Sequence, residues 1–164
     1  MSGIFTKEQA FFLSQHPEIN KVFVQDHGFS VSQLSFFNLR EFIETIIWRF
    51  KSTKHFVINN DFVEYFNPLI NLPSVIPGGG IKKLLKHSLF MFEDILNKHE
   101  IDVIHAHACY PAGYLAYEIS KRFNIPYVIT EHMSPFPFPE LLDGDKLKEK
   151  PFLSLKNART VIAV

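Results

Sequence analysis

Asp102-Val103-Ile104-His105-Ala106-His107, Tyr110-Pro111-Ala112-Gly113 and Ile125-Pro126-Tyr127-Val128-Ile129-Thr130-Glu131-His132 follow one another closely in the chain. The first and last of these carry short β-rich runs, which predict strands over 101–105 and 126–130. Between them, 111–123 opens on proline, whose fixed φ and missing N–H suit the first turn of a helix. A helix that joins two strands returns the second in the direction of the first, so the unit predicts parallel pairing. In an open parallel sheet, ligands meet the carboxyl ends of the strands, where loops leave polar groups facing a crevice. His107 follows the first strand and His132 the second. If the strands are neighbours, their axes lie about 4.8 Å apart and the two imidazoles can share one crevice.

Outward from this unit the same rhythm continues. Upstream, 4–15 reads as a helix stopped by Pro17, and 21–25 as a short buried strand. Phe36, Leu39, Ile43, Ile46 and Phe50 recur at steps of three and four and predict a helix over 34–50. Residues 55–66 are rich in Phe, Val and Tyr and read as strand, with Asn59-Asn60-Asp61 a hairpin turn or a kink in the middle. A proline- and glycine-rich connection over 68–80 leads to a helix over 81–99. Downstream, 133–150 is a loop, 151–157 a short helix and 160–164 a final strand. The expected architecture is one α/β sheet with helices on both faces.

The chain has 164 residues, of which 46% are hydrophobic and 15% aromatic, enough for one domain with a real core. Seventeen basic residues balance 17 acidic ones, so no overall field draws the protein to nucleic acid. Cys109 is the sole cysteine, which excludes an intrachain disulfide framework and fits a reducing, cytoplasmic setting. No apolar run approaches the roughly 20 residues of a membrane-spanning helix, and the first residues lack a signal-peptide pattern.

In order and spacing, the quoted elements resemble the amino-terminal domain of the retaining GT-B glycosyltransferases of family four, which include bacterial capsule, exopolysaccharide and lipopolysaccharide enzymes. Gly3-Ile4-Phe5-Thr6-Lys7-Glu8-Gln9-Ala10 is similar to that family's glycine loop and first helix, and Ala158-Arg159-Thr160-Val161-Ile162-Ala163-Val164 to its last strand before the interdomain linker. The resemblance implies a Rossmann-like, doubly wound parallel sheet, the acceptor-side half of a GT-B fold. Family members place a strand before the glycine loop, where this chain has only Met1 and Ser2. Its absence would leave an unpaired seam in the order 3-2-1-4-5-6. The carboxyl-terminal domain that holds the nucleotide is also outside the chain, so the expectation is a fragment that is inactive alone.

The resemblance also implies roles. His132 is the catalytic candidate, beside the transferred sugar. His107, Tyr110 and Glu131 are acceptor-binding candidates, and Gly3 would bring helix N–H groups to the donor diphosphate. The donor is a nucleotide sugar, the acceptor a saccharide or a lipid-linked one, and no cofactor or metal is implied. Against these stand plainer readings: a loop-entry histidine held by backbone, a helix-start glycine, and a satisfied core histidine at His105.

Other features are weaker. Pro111 and Gly113 would expose helix N–H groups and allow close approach of a ligand. Gly78-Gly79-Gly80 lacks the Lys-Ser/Thr ending of a phosphate loop, and Phe136-Pro137-Phe138-Pro139 reads as an acceptor flap or an ordinary loop. Trp48, Arg49, Lys51 and Lys54 form a basic, aromatic helix tip suited to peripheral contact with the inner membrane face, or simply the solvated end of a core helix. Cys109 has no evident base beside it. Two competing functions remain: a metal-dependent hydrolase built on His105, His107 and His132, and a non-catalytic remnant.

Overall fold

The computed structural model describes residues 2–26, 54–59, 61–66 and 80–164. The predicted helix over 34–50, its basic tip at Trp48, Arg49 and Lys51, and most of the 68–80 connection lie outside the described residues. The chain divides into two compact units, Met1–Phe92 and Glu93–Val164.

In the first unit, helix α1 (Ser2–Leu13) is followed by strand β1 (Val22–Asp26), and β2 (Lys54–Asn59) and β3 (Phe62–Phe66) form a hairpin across the turn at Asp61. The 55–66 run is therefore two antiparallel strands, with Phe56 opposite Glu64 and a register shift between Val57 and Asn59. β1 lies parallel to β3 on its other side, giving the order β1-β3-β2. The central strand β3 is buried along Phe62, Val63, Glu64 and Tyr65, as expected where both faces are covered. A buried carboxylate needs a partner. Lys7 of α1 supplies it, with Nζ 2.7 Å from Glu64 and 3.8 Å from Asp26, and chiefly the Glu64 bond raises the Lys7 pKa. Helix α2 (Ile81–Leu96) is held to β1 where Gln25 Nε2 donates to the Ser88 carbonyl at 2.9 Å.

The second unit carries the βαβ rhythm. Strands β4 (Ile104–His107), β5 (Tyr127–Glu131) and β8 (Thr160–Ala163) are all parallel, in the order β4-β5-β8. Helix α3 (Tyr114–Phe123) crosses from β4 to β5 and α4 (Glu149–Asn157) leads to β8. Between β5 and α4 runs the proline-rich segment, then a short ribbon of β6 (Leu142–Asp143) and β7 (Lys146–Leu147) turning at Gly144, whose φ is +59°. Ala106, Ala116, Tyr127 and Ile129 make the core, with Ile104, Ala112, Tyr117 and Leu155 packed on it. The small residues on β4 and α3 let helix and sheet approach closely.

The protein is thus a mixed α/β chain with parallel strands. Where one sheet was expected, the described strands form two three-stranded sheets and a small ribbon. Among the described residues the ladders end at β1 and β2 in one sheet and at β4 and β8 in the other. A second difference is local. The α-helix expected from Pro111 begins at Tyr114, after a wide turn over Cys109–Gly113 in which Tyr110 is extended (φ −149°, ψ 136°).

Candidate functional site

Strand alternation assigns the side chains at the carboxyl edge of β4 and β5. Residues two apart share a face, which groups His105 with His107, and Thr130 with His132. The register then sets His107 opposite Thr130. His107 Nδ1 lies 3.2 Å from His132 Nε2, and their rings stack at 5.4 Å between centroids and 12° between planes. On the other side of His107, the His105 ring stacks at 4.5 Å and 29°. The rings lean closer than the roughly 6.6 Å spacing of alternate strand positions. His105 Nε2 is 2.7 Å from the Thr130 hydroxyl, so it is the satisfied, partly buried member of the row, and His132 is the exposed one.

Burial disfavours the charged forms of His105 and His107. Desolvation, then the neighbouring His105 and His132, push the His107 pKa down to about 4, and desolvation with His132 lowers that of His105. The charged form is disfavoured when water is removed and like charges adjoin. His107 is therefore an uncharged ring at neutral pH, able to donate one hydrogen bond and accept one.

The loops that follow the two strands are tied together beneath the rings. Glu131 is offset by one residue from Thr130 and His132, so its side chain leaves the opposite face of β5. It is 6% exposed, with Oε2 accepting the Cys109 N–H at 2.8 Å and Oε1 the Met133 N–H at 3.0 Å. Ala108 donates to the Thr130 carbonyl at 2.8 Å, extending the ladder one residue past His107, and adopts φ 72°, ψ 147°. The Cys109 carbonyl lies 2.8 Å from the buried Ser154 hydroxyl, whose own carbonyl takes the Tyr127 hydroxyl at 2.6 Å. Cys109 is 0% exposed and its thiol is pushed up to about 12, by desolvation first and then by Glu131. A thiol so held is not a nucleophile.

The histidines His107 and His132 thus come together, with the Glu131 carboxylate beneath their loops. Tyr110 sits in the turn after β4, partly buried, with its pKa raised by desolvation. Gly3 lies in the first turn of α1, in the first unit. Gly113 is buried, and a Cβ there would meet Ile129 Cδ1 at 3.0 Å and the Ala108 carbonyl at 3.1 Å. Its close approach is to β5 and the preceding turn. Sequence reasoning passed over Thr130 and Ser154. Alternation on β5 would have found Thr130, whereas nothing local in the sequence marks Ser154 as the partner of a residue 45 positions away.

Among the described residues no group of three or more His, Cys, Asp or Glu side chains is arranged to hold a metal ion. His105, which the hydrolase reading needs as a third ligand, has its Nε2 on Thr130. That reading gains no support.

A family model described as Glycosyltransferase Family 4 matches residues 53–164, which contain both strands of the histidine pair. No curated protein and no solved structure matches the chain.

Proposed function

Since the chain belongs to glycosyltransferase family 4, we propose that it is the acceptor-side half of a retaining GT-B enzyme. In this reading the enzyme moves a hexose or related sugar from a nucleotide-sugar donor to a saccharide or lipid-linked acceptor, in polysaccharide biosynthesis of the capsule or lipopolysaccharide type. The observation that carries it is the His107–His132 pair, set at the carboxyl ends of adjacent parallel strands, where α/β sheets receive ligands.

The pair's geometry suggests how the rings serve a sugar. His107 occupies Nε2 of His132, which leaves Nδ1 of the exposed ring for a ligand. A ring nitrogen offers one donor or one acceptor according to tautomer, and a sugar hydroxyl matches either. His107 backs His132 as an uncharged ring, so it fixes the position of His132 without adding a charge. His132 is the residue at the transferred sugar, His107 and Tyr110 face the acceptor, and Glu131 serves them through the backbone it holds. Gly3 lends the unpartnered N–H groups of the α1 first turn to the donor diphosphate.

Donor affinity in this reading resides mainly in a second, nucleotide-binding domain. The enzyme works in the cytoplasm, peripheral to the inner membrane face when its acceptor is lipid-linked. No helix among the described residues is long and apolar enough to cross a membrane.

The division of labour is tested by calorimetry of this chain with UDP- and GDP-sugars. The expected result is no binding in the micromolar range. A micromolar dissociation constant, equivalent to about 8 kcal/mol of binding energy, would overturn it.

A further inference from the structure

We propose that Glu131 is a positioning residue, a two-armed clamp whose carboxylate oxygens hold the loops after β4 and β5 so that the His107 and His132 rings stay within hydrogen-bonding distance. For its functional meaning this rests on the reading of the pair as ligand-facing. The geometry itself is measurable without any sugar.

The clamp is built one oxygen to each loop. Oε2 takes the N–H of Cys109, two residues after His107, and Oε1 takes that of Met133, one residue after His132. The backbone ladder between β4 and β5 ends where Ala108 donates to Thr130, so the carboxylate is the next link beyond it. Strand alternation turns Glu131 away from the face that carries Thr130 and His132. It therefore acts on the rings through the main chain.

The turn it holds does not form cheaply. Ala108 has φ 72° and ψ 147°, a region that residues with a Cβ seldom visit and that persists only where surroundings over-determine it. Here the following residue is gripped at both ends: the Cys109 N–H by Glu131, the Cys109 carbonyl by Ser154. Releasing one end lets Ala108 relax to an ordinary conformation, and His107, immediately before it, moves with it.

The two loop bonds of the carboxylate come from N–H donors, the Cys109 thiol also bonds to it, and an ionised carboxylate only accepts. Glu131→Gln keeps shape and volume but replaces one acceptor by an NH₂ that faces an N–H. Glu131→Asp keeps the charge but is one methylene too short to reach both loops. These two variants separate geometry from charge.

The experiment is imidazole ¹⁵N NMR of the full chain over a pH series, for the parent, Glu131→Gln, Glu131→Asp and Ile119→Val. Ile119 is a buried α3 residue that takes no part in the clamp's hydrogen bonds, and its truncation lowers stability while leaving those bonds in place. In the parent and in Ile119→Val, His107 should remain neutral down to about pH 4 with a single tautomer. In Glu131→Gln it should titrate within about one unit of free imidazole, near 6.5, with mixed tautomers. If that variant does not fold, Glu131→Asp decides, with the same expected outcome. The clamp is overturned if the Glu131 variants keep the parent's His107 titration, if Ile119→Val shifts it equally, or if the parent itself titrates near 6.5. None of these outcomes depends on transferase activity, so failure of the clamp is distinguishable from failure of the functional reading.

Discussion

At the residue scale the account depends on what surrounds each imidazole. His132 carries the strongest expectation: in the complete enzyme His132→Ala lowers turnover about a hundredfold to a thousandfold, the loss of roughly 2.7 to 4 kcal/mol typical of a hydrogen bond that strengthens in the transition state. Donor affinity and melting temperature stay near the parent values, because the ring is exposed and its removal opens no core cavity. A fall of less than about threefold, or roughly 0.65 kcal/mol, removes His132 from catalysis.

His107 gives a pH signature. Its pKa is depressed in the folded chain to about 4 from the ordinary 6.5, so folding favours the neutral ring. The stability it contributes is present above 6.5 and is lost as pH falls from there through 4. His105 is lowered as well, and its contribution is lost in the same direction. Melting temperatures measured across that window should fall more steeply for the parent than for His107→Gln. Parallel curves would show that burial of His107 costs the charged form nothing. The two strand-end histidines were legible in the sequence because strand ends are. The burial that sets their charge state was not, since it depends on which loops fold over them.

At the element scale, the βαβ unit was readable from its period and punctuation, and β4, α3 and β5 pair in parallel as expected. The strand nevertheless starts and ends later than the β-rich run suggested, at Ile104–His107, which brings His107 into the strand itself. The helix starts three residues after Pro111. Both shifts have one origin: the Cys109 peptide is fixed by Glu131 and Ser154, and the chain spends Cys109–Gly113 in a wide turn before regular helix can begin. No propensity argument sees a bond between residues so far apart in sequence. From sequence the Asn59-Asn60-Asp61 run reads equally as turn or kink, and antiparallel pairing of β2 with β3 makes the 55–66 segment a hairpin. Gly113 belongs to this scale because it fits the turn against β5. Gly113→Ala places a Cβ 3.0 Å from Ile129 Cδ1 and 3.1 Å from the Ala108 carbonyl, and the backbone atom cannot yield as a side chain can. Overpacking of this kind costs about 1–3 kcal/mol, visible as a melting temperature lower by several degrees. An unchanged melting temperature would mean that the turn has slack that these distances do not show.

At the scale of the whole molecule, family membership and mixed α/β character with parallel strands agree with the sequence reading. The described strands lie in two three-stranded sheets and a ribbon rather than in one ladder, with β1 and β2 the edges of the first sheet and β4 and β8 those of the second. Periodicity could not predict this division, because it reports which segments are strands and says nothing of whether their ladders join. The central claim is that these strand-end histidines serve a retaining sugar transfer, and the complete enzyme tests it. The complete protein is incubated with UDP- and GDP-hexoses and a saccharide or lipid-linked acceptor, and the anomeric configuration of the product is read by NMR. The account predicts a new glycosidic bond with the donor's configuration retained. A product of inverted configuration, or release of free sugar without transfer to any acceptor, would contradict it.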